Sequence, residues 1–122
     1  CKRIIRFDLT QEEALSHYLK DQYLIAQVSK APGCTNERGL VADDILSLQD
    51  EPVLWQESCG KRYRTCLVTS PAGMGMQGDL DCHRKALAQK GMQTGEAVMR
   101  YLATVYDEKV LDCYQAWIEI LP

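Results

Sequence analysis

Six cysteines and two histidines carry most of the reactive chemistry in this sequence. The cysteines are Cys1, Cys34, Cys59, Cys66, Cys82 and Cys113; the histidines are His17 and His83. An even cysteine count in a short chain reads first as a disulfide framework. The pairs favoured by position are Cys59 with Cys66, inside one hairpin, and Cys82 with Cys113, tying two helices. Cys1 and Cys34 complete the candidate set. The loop closed by a Cys82–Cys113 bridge would be worth ~3–4 kcal/mol in the chain-entropy model. Disulfides persist in oxidising compartments, so the count predicts an extracytoplasmic protein, periplasmic or secreted. Cys1 adds a second idea. Processed bacterial lipoproteins start with an acylated cysteine, and this start is similar. A lipid-anchored envelope accessory protein is therefore an alternative, although Ile4, Ile5 and Phe7 stand where a polar tether is usual.

Two histidines can share general-base and general-acid work in ribonuclease-type chemistry. A small secreted hydrolase using His17 and His83 is thus a further alternative. Nothing in their spacing brings them together, so no catalytic set is assigned. Cys59, Cys66, Cys82 and His83 lack the short Cys-x2–4-Cys knuckle that converges two thiolates on zinc. No metal and no cofactor is expected. Gly73, Met74, Gly75, Met76 and Gly78 form a G-x-G-x-x-G match. A dinucleotide site also needs a following parallel strand that ends in an acidic residue, and residues 91–96 contain no strand signal. The stretch reads as a loop in which Met74 and Met76 offer adaptable apolar contacts.

Charge narrows the partners. Fourteen Lys and Arg against 17 Asp and Glu give a net charge of −3, a poor match for nucleic acid or anionic lipid. The densest basic cluster, Lys61, Arg62 and Arg64 with Tyr63, flanks a turn and suits an acidic protein surface. With Gly73–Met76 it makes up the candidate partner-binding set.

These residues need elements to position them. At 122 residues the chain reads as a single domain over 1–122, with no internal sequence repeat. Ile5, Phe7 and Leu9 alternate as a short strand does. Thr10 and Glu13 fit a capping box opening a helix that runs to about Lys30, stopped by Pro32 and Gly33. Residues 34–39 read as a loop, and Val41, Ile45 and Leu48 as a shorter helix. Val53–Ser58 and Arg62–Thr69 read as the two strands of a hairpin turning at Cys59-Gly-Lys61. Leu80–Lys90 reads as a helix ended by Gly91. Thr94 starts another, with Val98, Tyr101, Leu102 and Val105 on one face. Val110, Tyr114, Trp117, Ile118 and Leu121 fall at helical spacing. The predicted class is a helix-rich α+β domain with a short β-hairpin, braced by disulfides; an all-α bundle is the alternative. No apolar run approaches the ~20 residues of a membrane-spanning helix.

Leu19–Gln27, Tyr101–Tyr106 and Val110–Tyr114 resemble segments of periplasmic immunity proteins directed against type VI secreted amidases. The resemblance implies a small helical protein with a disulfide, although Gln27 stands where that family carries a cysteine. Together these readings predict a secreted or periplasmic, non-catalytic inhibitor or immunity module that acts by surface complementarity to a protein partner. Candidate loops are Gly60–Arg64 and Pro71–Gly78.

Overall fold

The structure is a computed structural model, described for residues 3–6, 25–41, 52–71 and 77–122. The elements are β1 (Arg3–Arg6), β2 (Ile25–Ser29), β3 (Glu37–Val41), β4 (Val53–Gln56), β5 (Arg62–Pro71), a helix α1 (Gln77–Gln89), β6 (Thr94–Tyr106) and β7 (Val110–Ile120). All strand pairs are antiparallel, in one seven-stranded sheet of order β4-β1-β3-β2-β6-β7-β5.

This overturns the helix-rich and all-α expectations. The segments read as two C-terminal helices are the long hairpin β6–β7. Val98, Val105, Val110, Ile118 and Ile120 are β-branched and Tyr101, Tyr106, Tyr114 and Trp117 aromatic, types that favour a pleated surface. Tyr114, Ala116 and Ile118 are buried on one face of β7 while Trp117 lines the other. An element that is apolar on both sides carries helical and alternating spacings at once. The helical form implied by the family resemblance falls here too. Ile25–Ser29, assigned to the first long helix, is strand β2, and the rest of that prediction lies in residues 7–24, outside the described residues. Glu37–Val41, read partly as loop, is strand β3. The predicted helix beyond Val41 also lies outside them. Two breaks fall as read. Pro32 and Gly33 form a turn with Gly33 at φ +82°. α1 ends at Gly91 (φ +80°), where Gly91 N–H donates to the Ala88 carbonyl and Met92 N–H to that of Leu87, a Schellman cap.

The two predicted hairpin strands exist as β4 and β5, but they do not pair with each other. They are the opposite edges of the sheet. Residues 57–61 join them, and that connection spans at most about 20 Å. The edges of a flat seven-stranded sheet stand about 29 Å apart. The sheet must therefore curl until its edges approach.

The sheet also has an internal symmetry that no sequence repeat announces. β1, β2 and β3 lie in the order β1-β3-β2, and β5, β6 and β7 in the order β6-β7-β5. Each half runs strand, connection, hairpin, and the halves meet where β2 pairs with β6, from Ala26↔Arg100 to Ser29↔Ala97. α1 is the connection of the second half. Its Leu80, Arg84 and Leu87 are buried at i, i+4 and i+7, and it covers Val68, Met99, Tyr114 and Ile118. A second cluster, Ile4, Ala26, Val28, Leu54 and Val98, lies on the other face. Gly39 of β3 is required there, because a Cβ would run into the Ile5 carbonyl oxygen and the Ile4 side chain.

Arg84 fastens α1 across the junction of the halves. Its guanidinium donates to Ser29 Oγ on β2 (3.0 Å), and to Thr94 Oγ1 (3.2 Å) and the Gly95 carbonyl on β6. Burial holds its pKa below the usual arginine value. Arg84→Met keeps volume but strands those acceptors, and should cost about 2–4 kcal/mol. Urea unfolding checks this; a loss under about 0.5 kcal/mol would show that the clasp contributes little.

Candidate ligand pocket and the faces of strand β5

Strand alternation sends one set of side chains to the face opposite α1, and the curl gathers them. All seven strands contribute to the resulting cavity of about 320 Å³. Its floor is Ile4, Ala26, Val41 and Val98; its walls are Trp55, Tyr63 and Trp117; Arg3, Glu57, Ser58, Lys61 and Arg100 add polarity. Ligand cavities typically run ~300–1,000 Å³ and are apolar with a few polar groups. Both tryptophans of the chain are here.

Lys61 is tied down by Glu96 at 3.0 Å and Glu119 at 3.4 Å. The Glu96 hydrogen bond is the main reason its pKa lies above the usual lysine value. Arg3, Arg100 and Glu57 line the same space. The indole N–H of Trp55 and the hydroxyl of Tyr63 are buried in the wall close to each other, and neither has a partner of good hydrogen-bond geometry within the protein. Burial raises the Tyr63 pKa, and its neighbour Trp55 works against that rise. A buried polar group without a partner costs ~1–3 kcal/mol, so these two donors favour any acceptor that reaches them.

No protein-family model, curated protein or solved structure matches this chain.

The basic cluster read from the sequence is split by the pleat. Lys61 and Tyr63 go to the cavity, whereas Arg64 lies over the α1 face, where its Nη2 reaches Met92 Sδ at 3.7 Å. Arg62 is exposed. Gly73, Met74, Gly75 and Met76 lie outside the described residues, as do Cys1 and His17. His83 is on α1, with Nε2 3.0 Å from the Leu67 carbonyl oxygen and 4.0 Å from Asp79. Among the described residues no three His, Cys, Asp or Glu side chains group to hold a metal. Sequence reasoning missed Arg3, Trp55, Glu57, Arg100 and Trp117. The one available signal was the scarcity of tryptophan, and it carries no register.

The disulfide framework is corrected. No disulfide joins Cys34, Cys59, Cys66, Cys82 or Cys113. Cys82 is on the exposed side of α1, whereas Cys113 alternates with Tyr114 and so faces away from α1 across β7. Cys59 sits in the exposed connection, and Cys66 turns inward beneath α1. The argument for an oxidising compartment loses its bridges. Burial, then the Asp79 carboxylate, pushes the Cys66 thiol pKa up. The thiolate is the reactive form. In folded protein, iodoacetamide should modify Cys66 more slowly than exposed Cys59, with a rate still climbing at alkaline pH. In denaturant without reductant all five should alkylate. A bridged pair found by mass spectrometry would overturn the assignment.

Proposed function

We propose that this chain is a non-catalytic binding module whose concave cavity holds a small organic anion with a flat apolar body. The observation that carries this reading is the convergence of Trp55, Tyr63 and Trp117 with Arg3 and Arg100 in one cavity. The indoles supply flat apolar faces for a ring. The arginines supply planar donors that match a carboxylate. The buried Trp55 N–H and Tyr63 hydroxyl, which lack a well-formed hydrogen bond, favour a ligand with an oxygen acceptor. The volume suits one or two fused rings. The described lining contains no histidine or cysteine, and His83 is engaged at the strand edge instead. A protein partner, central to the inhibitor or immunity reading, has separate support at β5, taken up below.

Because both tryptophans line the cavity, intrinsic fluorescence reports on occupancy. Benzoate, naphthoate and indole-3-acetate should give saturable changes, and the matching neutral amides should bind more weakly. Arg100→Ala and Trp117→Ala should each weaken binding by about tenfold, or ~1.4 kcal/mol. Absence of a saturable change with every planar acid would sink the reading.

Tyr63→Phe separates binding from stability. Removing a buried hydroxyl with no well-formed hydrogen bond should leave stability unchanged or raise it by up to about 1 kcal/mol, while lowering affinity for the acids. A loss of more than about 1 kcal/mol in thermal or urea unfolding would show that the hydroxyl has a structural partner.

A further inference from the structure

β5 is an edge strand, and α1 covers only part of its edge. Asp79 Oδ2 accepts from the Thr69 N–H at 2.8 Å, and His83 Nε2 meets the Leu67 carbonyl at 3.0 Å. In an antiparallel strand the outward backbone groups belong to alternate residues. Those of β5 therefore belong to Tyr63, Thr65, Leu67 and Thr69. Two side chains one helical turn apart stand in for a neighbouring strand at Leu67 and Thr69, and stop there. The N–H and C=O of Thr65 and the N–H of Leu67 point outward with no neighbouring strand among the described residues. Both residues are exposed, Leu67 to 54%.

Beside this gap, on the α1 face, lies a second cavity of about 170 Å³. Arg64, His83 and Lys90 surround it over Cys66, Ala86, Leu87 and Ile118, with no carboxylate in the lining. Among the described residues Arg62, Arg64 and Lys90 form no ion pair. Among the described residues of a chain with net charge −3, a basic cluster without an ion-pair partner thus stands next to an unpaired strand edge.

We propose that the Tyr63–Leu67 edge accepts an extended segment of an acidic protein partner as an added strand, with one of its carboxylates seated between Arg64 and Lys90. Strand addition draws affinity from main-chain hydrogen bonds and specificity from side-chain pockets. The backbone gap provides the first and the basic cavity the second. A second copy of this chain fits less well, since two Arg62–Arg64–Lys90 clusters would meet along one seam. The basic cavity lies on the opposite face of the sheet from the concave cavity, and of the edge residues only Tyr63 also lines that cavity.

The test uses a synthetic peptide of alternating Glu and Val, with a Lys-Val peptide and inorganic phosphate as controls. The expected result is binding of the Glu-Val peptide alone, with slowed hydrogen exchange at the Thr65 and Leu67 amides. R64E with K90E should weaken it at least about tenfold. Thr65→Pro should abolish it, since proline removes an outward N–H that the sheet does not use. Circular dichroism confirms folding, and if Thr65→Pro does not fold, the charge-reversal pair decides. No binding of Glu-Val, equal binding of Lys-Val, or protection elsewhere would overturn the proposal. So would phosphate reproducing the peptide's shifts without protection at Thr65, which would assign a free-anion site. Dimerisation abolished by Thr65→Pro would assign a second copy instead.

Discussion

Residues 57–61 tie the two outermost strands of a seven-stranded sheet together over a distance that a flat sheet would exceed. The curl that results is what turns one face inward. Without it, Ile4, Val98, Trp55 and Tyr63 would line an open apolar surface rather than a cavity. The tether brings its own polar residues, Glu57, Ser58 and Lys61, to the rim of the space it creates. Shape and lining of the pocket thus share one cause.

A curled sheet also needs a hinge line that does not slip, and the β2–β6 pairing supplies it. Pairing runs over Ala26–Ser29 and Ala97–Arg100, and Arg84 ties α1 to both strands at the Ser29 end. Two halves with the same strand order meet there. Only the second half has its connection described, as α1. β5 then separates two kinds of chemistry by alternation alone. Lys61 and Tyr63 serve the concave side, while Arg64 and Cys66 serve the side beneath α1.

The sequence showed local stops better than it showed pairing. Gly91 and Pro32-Gly33 were readable because each imposes a backbone conformation on its own neighbours. α1 was readable because Leu80, Arg84 and Leu87 bury only one side. β6 and β7 were not, since residues four apart share a face in a strand as well as in a helix. Val110, Tyr114 and Ile118 satisfy both, and only Trp117 and Leu121 distinguish them. The cysteines misled for a related reason: count and spacing are visible in a sequence, whereas the face a strand residue occupies is not. Lys61 and Tyr63 were found as a basic, aromatic pair. Their cavity was not, because its walls come from every strand and depend on β4 and β5 being opposite edges.

The paired contacts of Asp79 and His83 with β5 have one more consequence. An unpaired strand edge is a template for self-association, and proteins normally blunt theirs with charge, bulges or a cover. Here the cover is the start of a helix, the part that frays most readily. Each loosening of the first turns of α1 would release Thr69 and then Leu67, lengthening the template just as the apolar residues beneath the helix come into view. Fraying of one helix end would thus lengthen the strand edge and uncover apolar residues in the same movement.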